Sequence, residues 1–343
     1  MRIMLTGASG FVGSHVLRHI LATTDWDVVC PLTFRHKGLP ARMHSALDGH
    51  DFSRVETVML DLRGPVDSVT MHAMGNVDVI MNVASQSHVD RSIAAPDTFI
   101  TDNIRIMNTV LDMARHLRPW MLLQMSTDEV YGPAAGDYRH KEWDPVLPSN
   151  PYSASKAAQE AACISYWRTY GVPVVLTNTM NIIGEMQDPE KFLPMIIRNL
   201  RDGQPITVHT APDGTPGSRF YLHARNLADA WVWLVNWYEG VNNVPSYAFG
   251  ETRPERFHIV GEREVDNIAL VRTVGGLMGY PEDYVDSLIK PVSFHESRPG
   301  HDLRYALDGS RLAARGWRAP VGLEESLERT VRWTLQHPQW LDL

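Results

Sequence analysis

The sequence predicts an α/β protein: a doubly wound parallel sheet with a smaller C-terminal lobe. Three observations predict it. Short apolar runs alternate with segments of helical spacing through the first half of the chain. A glycine-rich turn joins the first of these runs to the first helical segment. Beyond Met180 the alternation gives way to shorter pieces punctuated by Pro and Gly. A strand–helix–strand order implies parallel strands with right-handed crossovers.

The elements follow in order. Residues 2–6 form a short apolar run, read as the first strand, and residues 11–22 place apolar side chains at helical spacing. Strands are predicted over 27–32, 56–60, 77–83 and 119–125, each a short apolar run. Long helices are predicted over 97–117 and 151–170, then a strand over 172–177. In the second half the spacing predicts helices over 226–238 and 323–337 and a shorter one near 267–278. The expected division is a dinucleotide-binding domain over 1–180 and a mainly ligand-binding lobe over 181–343, with later segments returning to the first.

With 343 residues, the chain can build such a domain plus a lobe. A net charge of −8 with no basic run excludes a nucleic-acid surface, and no apolar stretch is long enough to span a bilayer. The two cysteines, Cys30 and Cys163, lie in no metal-ligand spacing, and the fifteen histidines form no ligand pattern, so no metal is expected. With no targeting segment and no disulfide framework, the expected location is the cytoplasm.

The turn Thr6-Gly7-Ala8-Ser9-Gly10-Phe11-Val12-Gly13 gives the predicted fold a Rossmann-type phosphate loop. Gly7 permits the tight turn, Gly10 lets the backbone approach a pyrophosphate, and Gly13 allows close helix packing, with Phe11 and Val12 opening the helix. An NAD site normally ends its second strand in a carboxylate that binds the ribose diol. Here that place holds Cys30-Pro31-Leu32, followed by Arg35, His36 and Lys37. A missing acid with nearby cations suits a 2′-phosphate and favours NADP, whereas a solvated loop with the diol on backbone groups suits NAD. Asp61 and Leu62, after the third strand, are placed to meet adenine.

Tyr152 and Lys156 stand four apart and share a helix face. The ammonium is expected to lower the phenol's pKa so that Tyr152 can take a proton from a sugar hydroxyl as hydride leaves for nicotinamide. Behind them, Ser126-Thr127-Asp128-Glu129-Val130-Tyr131-Gly132 places two adjacent carboxyls at a strand end. Next to a ketone, one carboxyl can remove an acidified proton while the other protonates a leaving hydroxyl.

The glycine loop, Thr-Asp-Glu-Val-Tyr-Gly and Tyr-x-x-x-Lys together resemble the extended short-chain dehydrogenase/reductases, and among these the nucleotide-sugar 4,6-dehydratases, nearest to the dTDP-glucose branch. Ala84-Ser85-Gln86-Ser87-His88-Val89-Asp90-Arg91-Ser92-Ile93, Asp188-Pro189-Glu190-Lys191-Phe192-Leu193-Pro194 and Arg298-Pro299-Gly300-His301-Asp302-Leu303-Arg304-Tyr305-Ala306 are similar to segments of that family. The resemblance implies a hydro-lyase with tightly bound NAD(P), acting on a nucleotide-diphosphate hexose as a cytoplasmic homodimer. It implies Tyr152 as base for C4 oxidation with Lys156 and Thr127 assisting, Asp128 as the acid, and Glu129 as the base at C5. Ala84 and Ser85 would border the cofactor. Ser87, His88 and Asn181 would line the sugar. Lys191, Phe192, Arg219, Arg298, His301 and Tyr305 would hold the diphosphate and nucleoside. The dimer seam would run along helices 97–117 and 151–170, with Ile164, Trp167 and Tyr170 fitting either a seam or a core.

Four departures cluster around the ligands. Gln86 stands where the dTDP-glucose branch has Glu, and with the acid-free loop after strand two it is similar to the GDP-mannose branch. Asn178 stands where the family has Arg. Phe257-His258-Ile259-Val260-Gly261 replaces Tyr-Asn-Ile-Gly-Gly, and the loops 211–217 and 247–256 are expanded. The Tyr/Lys pair alone would also serve a 4-epimerase or decarboxylase of the same superfamily, and the loop alone a non-catalytic NADP-binding regulator.

Overall fold

The computed structural model describes residues 1–241, 244–245, 250–293 and 302–342. Its first half runs β1 (Arg2–Thr6), α1 (Phe11–Thr23), β2 (Asp27–Leu32), α2 (Pro40–Leu47), β3 (Val55–Met59), α3 (Ser68–Ala73), β4 (Val79–Asn82), α4 (Val89–Ala94), α5 (Pro96–Leu117), β5 (Met121–Thr127), α6 (Pro151–Tyr170) and β6 (Val174–Thr179). The second half adds β7 (Asn181–Ile183), α7 (Phe192–Arg201), β8 (Ile206–Thr210), β9 (Ser218–His223), α8 (Ala224–Gly240) and β10 (Glu255–Ile259). It ends with β11 (Glu264–Asp266), α9 (Asn267–Leu277), α10 (Glu282–Leu288), β12 (Ile289–Ser293), α11 (Ser310–Ala314) and α12 (Leu323–Gln336).

Seven strands form one sheet in the order β10-β6-β5-β4-β1-β2-β3, all pairs parallel. The central strands are apolar throughout because both faces are covered. Ile3 and Leu5 meet Trp231 and Leu227 of α8 on one face. Met4 and Ile80 meet Met107, Cys163 and Trp167 of α5 and α6 on the other. The strand order reverses between β1 and β4, which opens a crevice at their carboxyl ends. A third core, with Leu193, Ile197, Leu270 and Leu327, holds the lobe together.

The predicted strands 119–125 and 172–177 stop short of the real ends. Ser126 pairs with Asn178 and Thr127 with Thr179, and all four are buried. Apolar periodicity cannot register strand ends built from buried polar residues. β10 rejoins the main sheet beside β6, and α8 packs on α1. Trp167 is core, not seam, at 1% exposure, whereas Tyr170 is exposed and Ile164 half-buried. Among the described residues no helix is long and apolar enough to cross a membrane.

Candidate active site

The site grows from the turn after β1. Gly7 adopts φ +71°, a left-handed conformation that disfavours a side chain. A Cβ on Gly13 would lie 2.0 Å from the Gly7 carbonyl oxygen, so helix and loop touch because neither has a side chain there. No side chain caps α1 at Gly10, which leaves the first-turn N–H groups for an anion. The residues present therefore fit a dinucleotide pyrophosphate. The cleft beside the loop is lined by Gly7, Gly10, Phe11, Val12, Gly13, Arg35, Asp61, Leu62, Ala84, Ser85, Tyr152 and Lys156, all expected cofactor residues. Ser87, His88 and Lys191 continue the same wall.

At the outer end, Arg35 does not stand free. Its Nη1 donates to Asp61 at 2.7 Å, and Arg63 donates to both carboxylate oxygens of Asp61, at 2.7 and 3.0 Å. These bonds, Arg63 first, hold the Asp61 carboxyl well below the usual range. Lys37 pairs with Asp188 at 3.3 Å and Glu190 at 3.5 Å, so the second member of the basic cluster is also engaged. Gln86 donates to Asp102 at 2.9 Å, which turns its amide toward α5.

The catalytic candidates converge. Asp128 is buried, and its Oδ1 accepts from Thr127 Oγ1 at 3.0 Å while its Oδ2 has no partner. Burial first, then the neighbouring Glu129 charge, push the Asp128 carboxyl up to about 7. Glu129 Oε2 accepts from Asn150 at 3.1 Å, and its charge acts on Tyr152, Lys191 and Tyr305. The expected lowering of the Tyr152 phenol by Lys156 is not found. Burial first, then Glu129, raise the phenol, opposed by a hydrogen bond with Thr127. Lys156 Nζ instead donates to Met125 O at 2.8 Å and Gln159 Oε1 at 2.7 Å. Burial lowers this ammonium to about 8, with Glu160 acting the other way. The reason is packing: α6 lies against the sheet and its lysine meets backbone before it meets the phenol.

The ligand candidates divide. Lys191 donates to Ser87 O at 3.0 Å, and burial lowers its ammonium. His88 accepts from Arg91 N at 3.3 Å and so starts α4. Asn181 begins β7, half-buried, opposite Tyr221. Phe192 begins α7 and packs on the third core. Arg219 is committed to backbone: it donates to Ser218 O, Leu303 O and Asp302 O at 2.7 to 2.8 Å and lies 4.7 Å over the Tyr305 ring. It thereby pins the late loop beside Asp128, whose carboxyl feels its charge. Arg298 and His301 lie outside the described residues.

Sequence reasoning missed Asp102, Arg63, Glu190 and the pair Glu160–Arg256. Glu160 falls one helical turn past Lys156, and that spacing was a signal. Arg256 gave none, because only strand pairing brings it alongside.

Known proteins match this chain along its length. dTDP-glucose 4,6-dehydratase 1 of Escherichia coli (strain K12) is 32% identical, covering 100% of this chain and 95% of that protein. The crystal structure of DesIV, a dTDP-glucose 4,6-dehydratase from Streptomyces venezuelae with NAD and TYD bound, superposes with a TM-score of 0.81 at 30% identity, covering 99% of this chain and 98% of that one. UDP-glucuronic acid 4-epimerase from Bacillus cereus, with a TM-score of 0.81 at 21% identity over 98% of this chain and 100% of that one, shares the fold. The family model described as NAD dependent epimerase/dehydratase family matches residues 3–250. With its glycine cradle, its Tyr/Lys helix and that match over most of its length, the chain belongs to the NAD dependent epimerase/dehydratase family.

Proposed function

We propose that this protein is a nucleotide-hexose 4,6-dehydratase, converting an NDP-glucose-type substrate to an NDP-4-keto-6-deoxyhexose and water. The observation that carries the reading is Asp128: a buried carboxyl held near neutrality beside a second acid, Glu129, in the turn that faces Tyr152. An epimerase has no use for a proton-bearing acid there. A dinucleotide held along the Gly7–Gly13 turn and the cleft beside it would supply the hydride acceptor for C4 and the hydride donor for C6. Tyr152 takes the proton of the C4 hydroxyl as a phenolate, the form that the hydrogen bond from Thr127 favours against burial and the Glu129 charge. Glu129 removes the C5 proton, the freed electron pair forms the C5=C6 bond, and Glu129 gives the proton back to C5 when C6 gains hydride. Asp128 gives its proton to the C6 hydroxyl, the C6–O bond breaks with its electron pair on oxygen, and water leaves. In this reading Ser87, His88 and Asn181 would line the sugar and Lys191 and Tyr305 would meet the diphosphate and nucleoside, while Arg219 and Phe192 brace that wall through the late loop and α7. Mass spectrometry after incubation with dTDP-glucose tests the reading. A product lighter by one water is expected; an isomer of unchanged mass would make the protein an epimerase instead.

The cofactor reading is NAD(P). NADP is favoured by Cys30 at the end of β2 and by Arg35, His36 and Lys37 along the cleft, where a 2′-phosphate would draw Arg35 from Asp61. The dinucleotide released on denaturation and weighed decides: NADP is expected, and NAD would leave Arg35 a structural partner of Asp61. A homodimer through α5 and α6 completes the reading, supported by exposed Tyr170 and half-buried Ile164 and Tyr166 on α6.

A further inference from the structure

The turn that bears the two acids is tied at both ends to a single carboxylate on the helix that bears the redox pair. Glu160 lies on α6, four residues past Lys156, and is buried. Its Oε1 accepts from Asn178 Nδ2 at 2.7 Å, and the same amide nitrogen donates its other hydrogen to Thr127 O at 3.0 Å. Its Oε2 accepts from Arg256 Nη2 at 2.7 Å, while Arg256 Nη1 donates to the Tyr131 hydroxyl at 2.9 Å. Thr127 and Tyr131 bracket the turn Asp128–Tyr131. Arg256 is itself sealed in, 4.3 Å over the Trp143 ring.

We propose that Glu160, Asn178 and Arg256 are positioning residues that fix the acid-bearing turn relative to the Tyr152/Lys156 helix, and that their task is the elimination step. The proposal rests on the dehydratase reading above. The physical argument is one of rigidity. Both halves of the reaction act on one ring, but their groups sit on separate elements, and a misplacement of about 1 Å costs up to about a hundredfold in rate. A bidentate, fully buried linkage through one carboxylate is stiff because neither partner can turn to water. A buried ion pair used only for stability would have no reason to reach both ends of the same turn. Loss of Glu160 leaves Tyr152 and Lys156 on their own helix but also removes a charge that supports the Lys156 ammonium, so Asn178→Ala, which keeps that charge, isolates the drift of the acids.

The test separates the half-reactions in full-length enzyme with its bound dinucleotide and dTDP-glucose. Reduced nicotinamide absorbance after mixing reports C4 oxidation; product lighter by one water reports elimination. In Glu160→Gln, elimination is expected to slow about ten- to a hundredfold while bound reduced nicotinamide accumulates. Asn178→Ala keeps the Glu160–Arg256 ion pair and removes the amide that joins Glu160 Oε1 to Thr127 O, and it is expected to show the same split at smaller size. It also decides the matter alone if Glu160→Gln does not fold. Equal loss of both steps, or no change in their ratio, overturns the proposal. A wild type that releases no water overturns the dehydratase reading itself, whereas a wild type that releases water beside a variant without the split overturns only the clamp.

Discussion

Asp128 concentrates the chemistry of the site in one proton. Its carboxyl titrates at about 7 in the fold against 3.8 in the open, so it still bears a proton when a free aspartate has lost one. Activity should therefore fall as pH rises through about 7, measured as initial rate against pH. Asp128→Asn should lower dehydration by about a hundredfold or more, since positioned proton transfer contributes that much. The same proton bears on stability. A group whose pKa is raised by folding stabilises the fold below its unfolded value, and that contribution is lost as pH rises through the folded value. At pH 8 the buried charge costs up to about 4 kcal/mol. Asp128→Asn should accordingly melt higher than wild type at pH 8, with the gap narrowing toward pH 5 by calorimetry. At this scale the sequence was a fair guide to residue types and a poor one to states. Thr127, Asp128 and Glu129 act on Tyr152, and Tyr152 and Lys156 border one cleft. The protonation of Tyr152 went the other way, because the depth of a phenol below the surface is not written in its spacing from a lysine.

Among elements, the βα turn is the least tolerant. Gly13→Ala would drive a methyl to within 2.0 Å of the Gly7 carbonyl oxygen, which is backbone and cannot give way. Dinucleotide affinity should fall at least about tenfold, read by quenching of protein fluorescence. The long helices and central strands were legible because burial on both sheet faces writes continuous apolar runs. The short strands β7, β9 and β11 were not, since three to six residues offer no period to count. Position 178 shows the deeper limit. The family arginine is absent there, yet a guanidinium reaches Glu160 from the adjacent strand, as Arg256. A linear reading registers Asn178 and cannot see that Arg256 lies on the next strand.

At the scale of the molecule, charge ties together helices far apart in sequence. Glu185, before α7, accepts from Arg329 of α12 at 2.6 Å and from Arg225 of α8 at 3.3 Å, and lies 3.2 Å from His223. Burial works against its charge, but His223, His15 and Arg225 outweigh it and hold the carboxyl below its usual range. A depressed carboxyl stabilises above the unfolded pKa and loses that contribution as pH falls. Glu185→Gln should cost about 2 kcal/mol at pH 7, and the deficit should shrink as pH drops below about 4, seen in urea melts. Light scattering at micromolar concentration should give twice the chain mass if α5 and α6 pair between copies; a monomer would remove that assembly.

The seat of β10 beside β6 has one more consequence. A ribosome releases Glu160 long before Arg256 leaves the exit tunnel. Until then the growing chain must shelter a carboxylate with no guanidinium to meet it, and the sheet waits with one edge open. A truncated chain ending near residue 180 should be digested quickly by protease, because the last strand needed to finish its first domain is among the late arrivals.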